Sequence, residues 1–213
     1  MLNVKQKYYI KAIQRAMLVH NNSLSNNHSS FITTNLFCFS SSNQDMASAQ
    51  VVLQDKVQNG TSGTLNNQTP ADMQLLRSFS FDGSFVGGAP PANISGNGGV
   101  GHFTHLKGSQ ASMAAVCYSI TTATGQPGAA ILGWIAPANF NPTTSPNKVF
   151  GAIGPRAIID QMSWDQIQNL MVKAGSSIEV CFEGVCMHAT ILNNPTAKMA
   201  DLLANFSYLC PKP

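Results

Sequence analysis

The chain has 213 residues, of which 10% are charged and 44% hydrophobic, and its formal net charge is +3 at pH 7. Charged residues make up about 25% of an average globular protein, so the polarity here comes from neutral side chains, which suits turn-rich β-structure. No apolar run approaches the roughly 18 to 20 residues of a membrane-spanning helix, which excludes integration through such a helix.

The first 45 residues differ in composition from the rest and are predicted to be a leader outside the fold. They hold four basic residues and one acid, Asp45, and therefore the whole net charge. The stretch is either a basic, Ser-rich transit-type peptide or sequence upstream of a true start at Met46. Residues 46–213 carry eight basic and eight acidic side chains and are predicted to form one domain. A neutral domain has no positive stripe that follows phosphates, so we expect no nucleic-acid partner.

The first predicted elements of the domain are a strand and a short helix. The strand covers residues 51–53 and Val57 and ends at residues 59–60, an Asn-Gly dipeptide typical of turns. Residues 69–72 read Thr-Pro-Ala-Asp, the pattern of an N-cap followed by proline in the first helical turn. They predict a short helix through residues 75–76.

Next come a long loop and three strands. Residues 82–101 are dominated by Gly, Pro and Asn and are predicted to be mostly loop. Residues 103–107 alternate in polarity like a half-buried strand. Residues 113–120 and 129–135 are short apolar runs on either side of a turn at 125–128, which favours two paired, buried strands.

The clearest predicted helix starts at Ser163. Ser163 and Gln166 have the spacing of a capping box, in which each side chain satisfies a free backbone donor of the other residue. Apolar residues follow at core-facing spacing, and Gly175 marks the end.

The last predicted elements form a hairpin. Residues 178–182 and 185–191 flank the dipeptide Glu183-Gly184, which predicts a two-residue turn. Residues 196–206 fit a helix or a strand. Many short strands with one or two short helices packed against them predict a mostly β (α+β) single-domain β-sandwich.

The hairpin sequence raises the question of a metal site. In the predicted register Cys181 faces Cys186, and His188 shares the face of Cys186. A zinc site needs a fourth ligand and a recognised spacing, and the sequence shows neither. Core packing of the thiols is the leading interpretation, with a redox-sensitive pair and a metal site as the alternatives. The odd total of five cysteines favours a reducing compartment.

No catalytic site or cofactor is predicted. Gly96, Gly98 and Gly101 fit the dinucleotide-binding pattern by letter, but no strand precedes them and no helix follows. His105 and Cys117 are the one arguable base and nucleophile, and the apolar surroundings of Cys117 oppose thiolate formation.

The candidate ligand contacts are Trp134, Phe140 and His105. Trp134 precedes a Pro-rich segment with Phe140, and an aromatic loop there could contact a carbohydrate or a lipid headgroup. For Trp134 itself, burial in the core is the leading interpretation, and contact with a ligand is the alternative.

Several short motifs resemble the 23 kDa jasmonate-induced proteins of plants: Phe103-x-His105-x-Lys107, the apolar residues 114–118, Gly133-Trp134 with Pro137, and Ser163-Trp164-Asp165. The resemblance starts near Met46. It departs at residues 98–101, which read Gly-Gly-Val-Gly where we expect Asn-Gly-Gln-Trp in many relatives. It implies a soluble, hormone-induced plant protein without an established enzymatic activity. The pattern is also similar to the lipid-binding β-sandwiches of aegerolysins and actinoporin-like proteins, a likeness of fold.

These observations favour a plant stress- or defence-associated binding protein for a carbohydrate or lipid headgroup. The alternatives are an enzyme or biosynthetic accessory protein, and a structural or interaction protein. We expect a cytoplasmic location, or a plastid or mitochondrial one if residues 1–45 are a transit peptide.

Overall fold

The computed structural model describes residues 56–194 and 198–209. The predicted leader, residues 1–45, and residues 51–53 of the first predicted strand lie outside the described residues. The strands are β1 Lys56–Val57, β2 Gly60–Asn67, β3 Met73–Asp82, β4 Ser84–Phe85, β5 Asn93–Ile94, β6 Gly99–Leu106, β7 Ala111–Thr121, β8 Pro127–Pro137, β9 Asn139–Phe140, β10 Lys148–Pro155, β11 Ser177–Phe182, β12 Val185–Asn194 and β13 Met199–Tyr208. The helices are α1 Arg156–Ile159 and α2 Trp164–Val172.

The strands form two large sheets. One sheet has five strands in the order β10-β8-β7-β3-β5, and the other has six in the order β11-β12-β13-β2-β6-β4. The short strands β1 and β9 pair with each other. The pairing of β13 with β2 is parallel, whereas the neighbouring strand pairs on either side of it are antiparallel.

The main core lies between the two sheets. Alternate residues of each strand point inward, so Leu65 and Phe206 of the six-stranded sheet meet Val116 and Leu132 of the five-stranded sheet in one buried cluster. The predicted mostly β sandwich with short helices is confirmed.

Both helices pack on the outer face of the five-stranded sheet. Met171 of α2 lies directly over Gly133 of β8, where a Cβ atom would come within 2.8 Å of the methionine sulfur. Arg77 of β3 donates hydrogen bonds to the carbonyl oxygens of Ile159, the last residue of α1, and of Met162, which follows the helix. The predicted capping box is confirmed, with both Ser163–Gln166 hydrogen bonds formed. The sequence did not predict α1.

The helix predicted through residues 75–76 is wrong, because Met73–Asp82 is a strand. The reason is the buried side chain of Asn67, whose Oδ1 accepts hydrogen bonds from the backbone N and Oγ1 of Thr69. Its Nδ2 donates to the carbonyl oxygens of Ala71 and Ile94. Thr69 is therefore held in a turn by Asn67, and its hydroxyl is not available as a helix cap.

The predicted pairs of strands are confirmed. Strands β7 and β8 pair along their whole length. Strands β11 and β12 form the predicted hairpin, with left-handed backbone at Glu183 (φ 44°) and Gly184 (φ 79°), as a tight two-residue turn requires. In the undecided segment 196–206, residues 199–206 belong to strand β13. None of the helices in the described residues is long and apolar enough to cross a membrane.

Candidate functional site

The structure places two of the three predicted ligand contacts, Trp134 and His105, inside the main core. Trp134 lies within strand β8 and not in the loop after it, and both side chains are completely buried. Its indole stacks on Phe103 with ring centroids 4.9 Å apart, and Phe85 packs edge-on against Trp134 and His105. Neither ring can touch a ligand at the surface of this structure. The position of Trp134 agrees with the buried strand predicted for residues 129–135 and with burial of its side chain in the core.

Phe140, the third predicted contact, lies half-buried in β9 beside the Pro-rich segment. Its backbone pairs with that of Lys56 in β1. The structure does not bring Phe140 together with Trp134 and His105 in one open site.

A hydrogen-bond network surrounds the buried histidine. The Nδ1 atom of His105 lies 2.9 Å from Ser112 Oγ, and Nε2 lies 3.0 Å from Ser80 Oγ. Ser112 Oγ also lies 2.8 Å from Thr61 Oγ1 and accepts a hydrogen bond of 3.3 Å from Trp134 Nε1. Both ring nitrogens therefore have partners, as buried polar groups require.

Burial lowers the pKa of His105 to about 4, against the opposing influence of the Asp82 charge, so the imidazole is neutral at pH 7. Burial also disfavours ionisation of Asp82, but the amides of Ser109, Gln110 and Ala111 donate to its carboxylate and hold its pKa below the usual value. A neutral, fully bonded histidine in a closed core has a structural role.

Cys117 and His105 do not form a catalytic pair. The side chain of Cys117 lies on the outer face of the five-stranded sheet, paired in register with Arg77, whereas His105 faces the space between the sheets. Burial raises the pKa of Cys117 to about 11, with a smaller opposing influence of Arg77. A buried thiol with this pKa is a poor nucleophile.

The glycine-rich segment has no helix at which a pyrophosphate could bind. Gly98 has a left-handed backbone (φ 93°) in the turn after β5, and strand β6 follows at Gly99. The dinucleotide pattern therefore lacks its structural context.

An aromatic patch that the sequence did not single out lies on the outer face of β3. It consists of Arg77, Phe79, Phe81 and Trp164, and we call it the aromatic patch. The Phe79 and Trp164 rings stack with centroids 5.5 Å apart, and Phe81 meets both rings edge-on. The Arg77 guanidinium carbon lies 4.6 Å from the centroid of the Trp164 ring.

The patch follows from two local patterns. The period-two alternation of β3 places Arg77 and Phe79 on the face away from the main core, and the capping box at Ser163 starts α2 so that Trp164 is its first residue. Phe79 is 43% exposed, and Phe81 and Trp164 are partly exposed. The sequence signal for the aromatic patch was the alternation Arg-Ser-Phe-Ser-Phe at residues 77–81. It was overlooked because a helix was predicted through residues 75–76.

The paired cysteines of the hairpin are joined in a disulfide. Cys181 and Cys186 face each other in the predicted register with Cα atoms 4.1 Å apart. Core packing of free thiols is therefore wrong for this pair, since Cys181 is exposed and the sulfurs are bonded. His188 is exposed on the same face of β12, and in this bonded state neither sulfur is a thiolate that could bind a metal.

Sequence comparison with known proteins matches the chain to a family profile and to a named relative. The sequence profile of the Nakanori-like protein family matches residues 3–204. A jasmonate-induced protein homolog from Atriplex canescens is 31% identical over 113 residues, which are 53% of this chain and 60% of that protein, so the match spans less than two thirds of the relative. The resemblance to jasmonate-induced proteins is thereby confirmed.

A solved structure adds a likeness in three dimensions. The crystal structure of the lipid binding protein Nakanori superposes with a TM-score of 0.57 over 71% of this chain and 72% of that chain, at 18% identity. At that identity the likeness shows the fold. Because the family profile covers most of the sequence, the chain belongs to the Nakanori-like protein family.

Proposed function

We propose that this protein is a hormone-induced plant protein that binds lipid headgroups at a membrane surface through the aromatic patch. The observation that carries the proposal is the stack of the exposed Phe79 on the partly exposed Trp164, on a fold shared with a lipid binding protein. The name of the Atriplex canescens relative supports induction by jasmonate. A role in stress or defence is part of the proposal.

The chemistry of the patch suits a membrane interface. Phenyl and indole rings partition into the headgroup region of a bilayer, where the ring is buried and the indole N–H stays hydrated. Phe79 and Trp164 present ring surface to solvent, whereas the other tryptophan, Trp134, is in the core. An exposed aromatic cluster is a natural contact for a partner surface.

The charge pattern supports a zwitterionic headgroup over an anionic one. Residues 46–213 have equal numbers of acidic and basic side chains. The guanidinium of Arg77 is already engaged by two carbonyl oxygens and the Trp164 ring. Long-range attraction to anionic lipid needs a cluster of unpaired basic residues, which the patch does not have.

The test is sedimentation of the full chain with vesicles of phosphatidylcholine, with and without phosphatidylserine. We expect the chain to bind both kinds of vesicle, with an affinity that changes little between low and high salt. Phe79→Ala and Trp164→Ala should each weaken it about tenfold, the loss expected when most of a large apolar contact is removed. The matched control is Leu192→Ala, which removes a 65% exposed side chain from the outer face of the six-stranded sheet and should have no effect.

Two results would contradict the lipid proposal. One is absence of binding to either vesicle, and the other is an equal loss of binding in the Leu192→Ala control. A glycan array with the same variants separates the two ligand classes, because a glycan signal lost in Trp164→Ala without vesicle binding would assign the aromatic patch to carbohydrate.

The proposed location is the cytoplasm, or a plastid or mitochondrion if residues 1–45 are a transit peptide. A fluorescent fusion at the C-terminus of the full chain, compared with one starting at Met46, distinguishes these locations. Organelle targeting by the full chain that is lost in the shorter one would contradict a cytoplasmic location.

A further inference from the structure

The outer face of the β11–β12 hairpin carries four side chains of metal-binding type in two adjacent register pairs. Cys181 faces Cys186, and Glu179 faces His188. Successive same-face positions of a strand are two residues apart, so all four side chains project from one side of the hairpin. Glu179 is a fourth residue of metal-binding type that the sequence analysis did not identify.

The ligand atoms of three of these residues already lie close together. The carboxylate of Glu179 and the sulfurs of Cys181 and Cys186 are within 4.8 Å of one another. Glu179, Cys181 and His188 are exposed and Cys186 is buried, so an ion reaches the site from the side of the three exposed residues. On the opposite face Val185 and Met187 are fully buried, which anchors β12 and fixes the spacing of its outward residues.

We propose that this hairpin is a redox-gated zinc site. In the oxidised chain the two sulfurs are bonded to each other and the site is closed. In the reduced chain the thiolates of Cys181 and Cys186, the carboxylate of Glu179 and the imidazole of His188 bind one Zn²⁺. Zinc takes these three ligand types in tetrahedral sites, and four protein ligands make a complete set.

The gating reaction is a thiol–disulfide exchange. Two equivalents of a monothiol RSH break the Cys181–Cys186 bond, which leaves two protein S–H groups and one RS–SR molecule. Zn²⁺ then displaces the two thiol protons and binds both thiolates, so zinc binding releases two protons to solvent. The proposal does not depend on lipid binding, since it concerns the hairpin and not the aromatic patch.

The test uses cobalt(II) as the probe, because its thiolate charge-transfer and ligand-field absorption reports sulfur ligation and tetrahedral geometry. The full chain carries Cys38→Ser and Cys210→Ser, and its remaining cysteines are the hairpin pair and the buried Cys117. We expect one cobalt per reduced chain with the absorption of a two-thiolate site, its displacement by zinc, and no such absorption in the oxidised chain.

The variants separate a built site from two thiols that bind any soft ion. Glu179→Gln and His188→Gln should each weaken cobalt binding by more than about tenfold, since loss of even a supporting partner of a ligand costs that much. Glu183→Gln, which removes a carboxylate from the exposed turn of the same hairpin, is the charge-matched control and should bind as the parent does.

The oxidised forms of the variants provide the folding control, because their circular dichroism should match the parent. Absence of thiolate absorption in a chain whose hairpin thiols titrate as reduced would overturn the proposal. So would equal cobalt affinity in the parent, Glu179→Gln and His188→Gln.

Discussion

The Nε2 atom of His105 lies 3.0 Å from Ser80 Oγ, so a histidine of the six-stranded sheet is hydrogen-bonded to a serine of the five-stranded sheet. The contact crosses the main core, and the other ring nitrogen bonds to Ser112 on β7. A polar link between sheets fixes their relative position more narrowly than apolar packing does. It also makes the stability of the sandwich sensitive to the charge state of one side chain.

We predict that the free energy of unfolding falls as pH falls from about 6.5 to about 4. Burial lowers the pKa of folded His105 from 6.5 to about 4, so in this interval the unfolded chain binds a proton that the folded chain does not. The loss from this residue is at most roughly 3 kcal/mol. Urea unfolding at pH 7 and pH 4.5 measures it. His105→Gln should reduce the pH dependence, and the exposed His102→Gln should leave it unchanged. An unaltered pH dependence in His105→Gln would show that other groups cause it.

We predict that the two tryptophans report different events. Trp134 is completely buried, whereas Trp164 is partly exposed in the aromatic patch. In the Trp134→Phe variant Trp164 is the remaining tryptophan. Its fluorescence should be quenched readily by acrylamide, and its emission should change on vesicle binding. A Trp164→Phe chain should show neither response. A vesicle-dependent emission change confined to Trp134 would place the contact elsewhere or require the core to open.

We predict that Gly63→Ala destabilises the fold. Gly63 on β2 lies opposite Phe103 on β6, and a Cβ atom there would come within 2.1 Å of the phenyl ring. Overpacking of this kind costs about 1–3 kcal/mol, measurable by urea unfolding. In a double-mutant cycle, Phe103→Leu should recover part of the loss because the shorter side chain vacates the space. Additive losses would show that the glycine is needed for another reason.

We predict that Cys117 stays unmodified in the folded protein. Its thiol is buried and its pKa is about 11, so the thiolate fraction at pH 7 is very small. Iodoacetamide labelling followed by mass spectrometry should modify Cys117 only under unfolding conditions, while the exposed Cys181 of the reduced hairpin reacts in the native state. Rapid labelling of Cys117 in the native protein would contradict this prediction and favour the enzyme hypothesis.

Local signals predicted much of this fold. The capping box at Ser163 and the Glu183-Gly184 turn both operate within a few residues, and the turn fixed the register that sets Cys181 against Cys186. The paired apolar runs of β7 and β8 were likewise readable because one short turn joins them. Glu179 could have been added by the same reasoning, since it is two residues before Cys181.

The predictions that failed or stayed open concern residues whose structure depends on contacts with segments far away in the sequence. Thr69 and Pro70 fit a helix start, but strand β7 pairs with the segment that follows, and the Asn67 side chain that holds Thr69 is itself bonded to the carbonyl oxygen of Ile94. For Trp134 the sequence left ligand contact open beside burial, because the Phe103 ring that stacks on it comes from the other sheet. The aromatic patch joins β3 to α2, and no periodicity in one segment reports a contact with another.

The parallel pairing of β13 with β2 determines when the six-stranded sheet can form during synthesis. Strand β2 lies near the start of the described chain and β13, Met199–Tyr208, near its end. On the ribosome, β2 and β6 can pair early, but their sheet keeps an open edge until the last strand has left the exit tunnel. A chain that ends before β13 would carry that edge permanently, as a template for pairing with other chains.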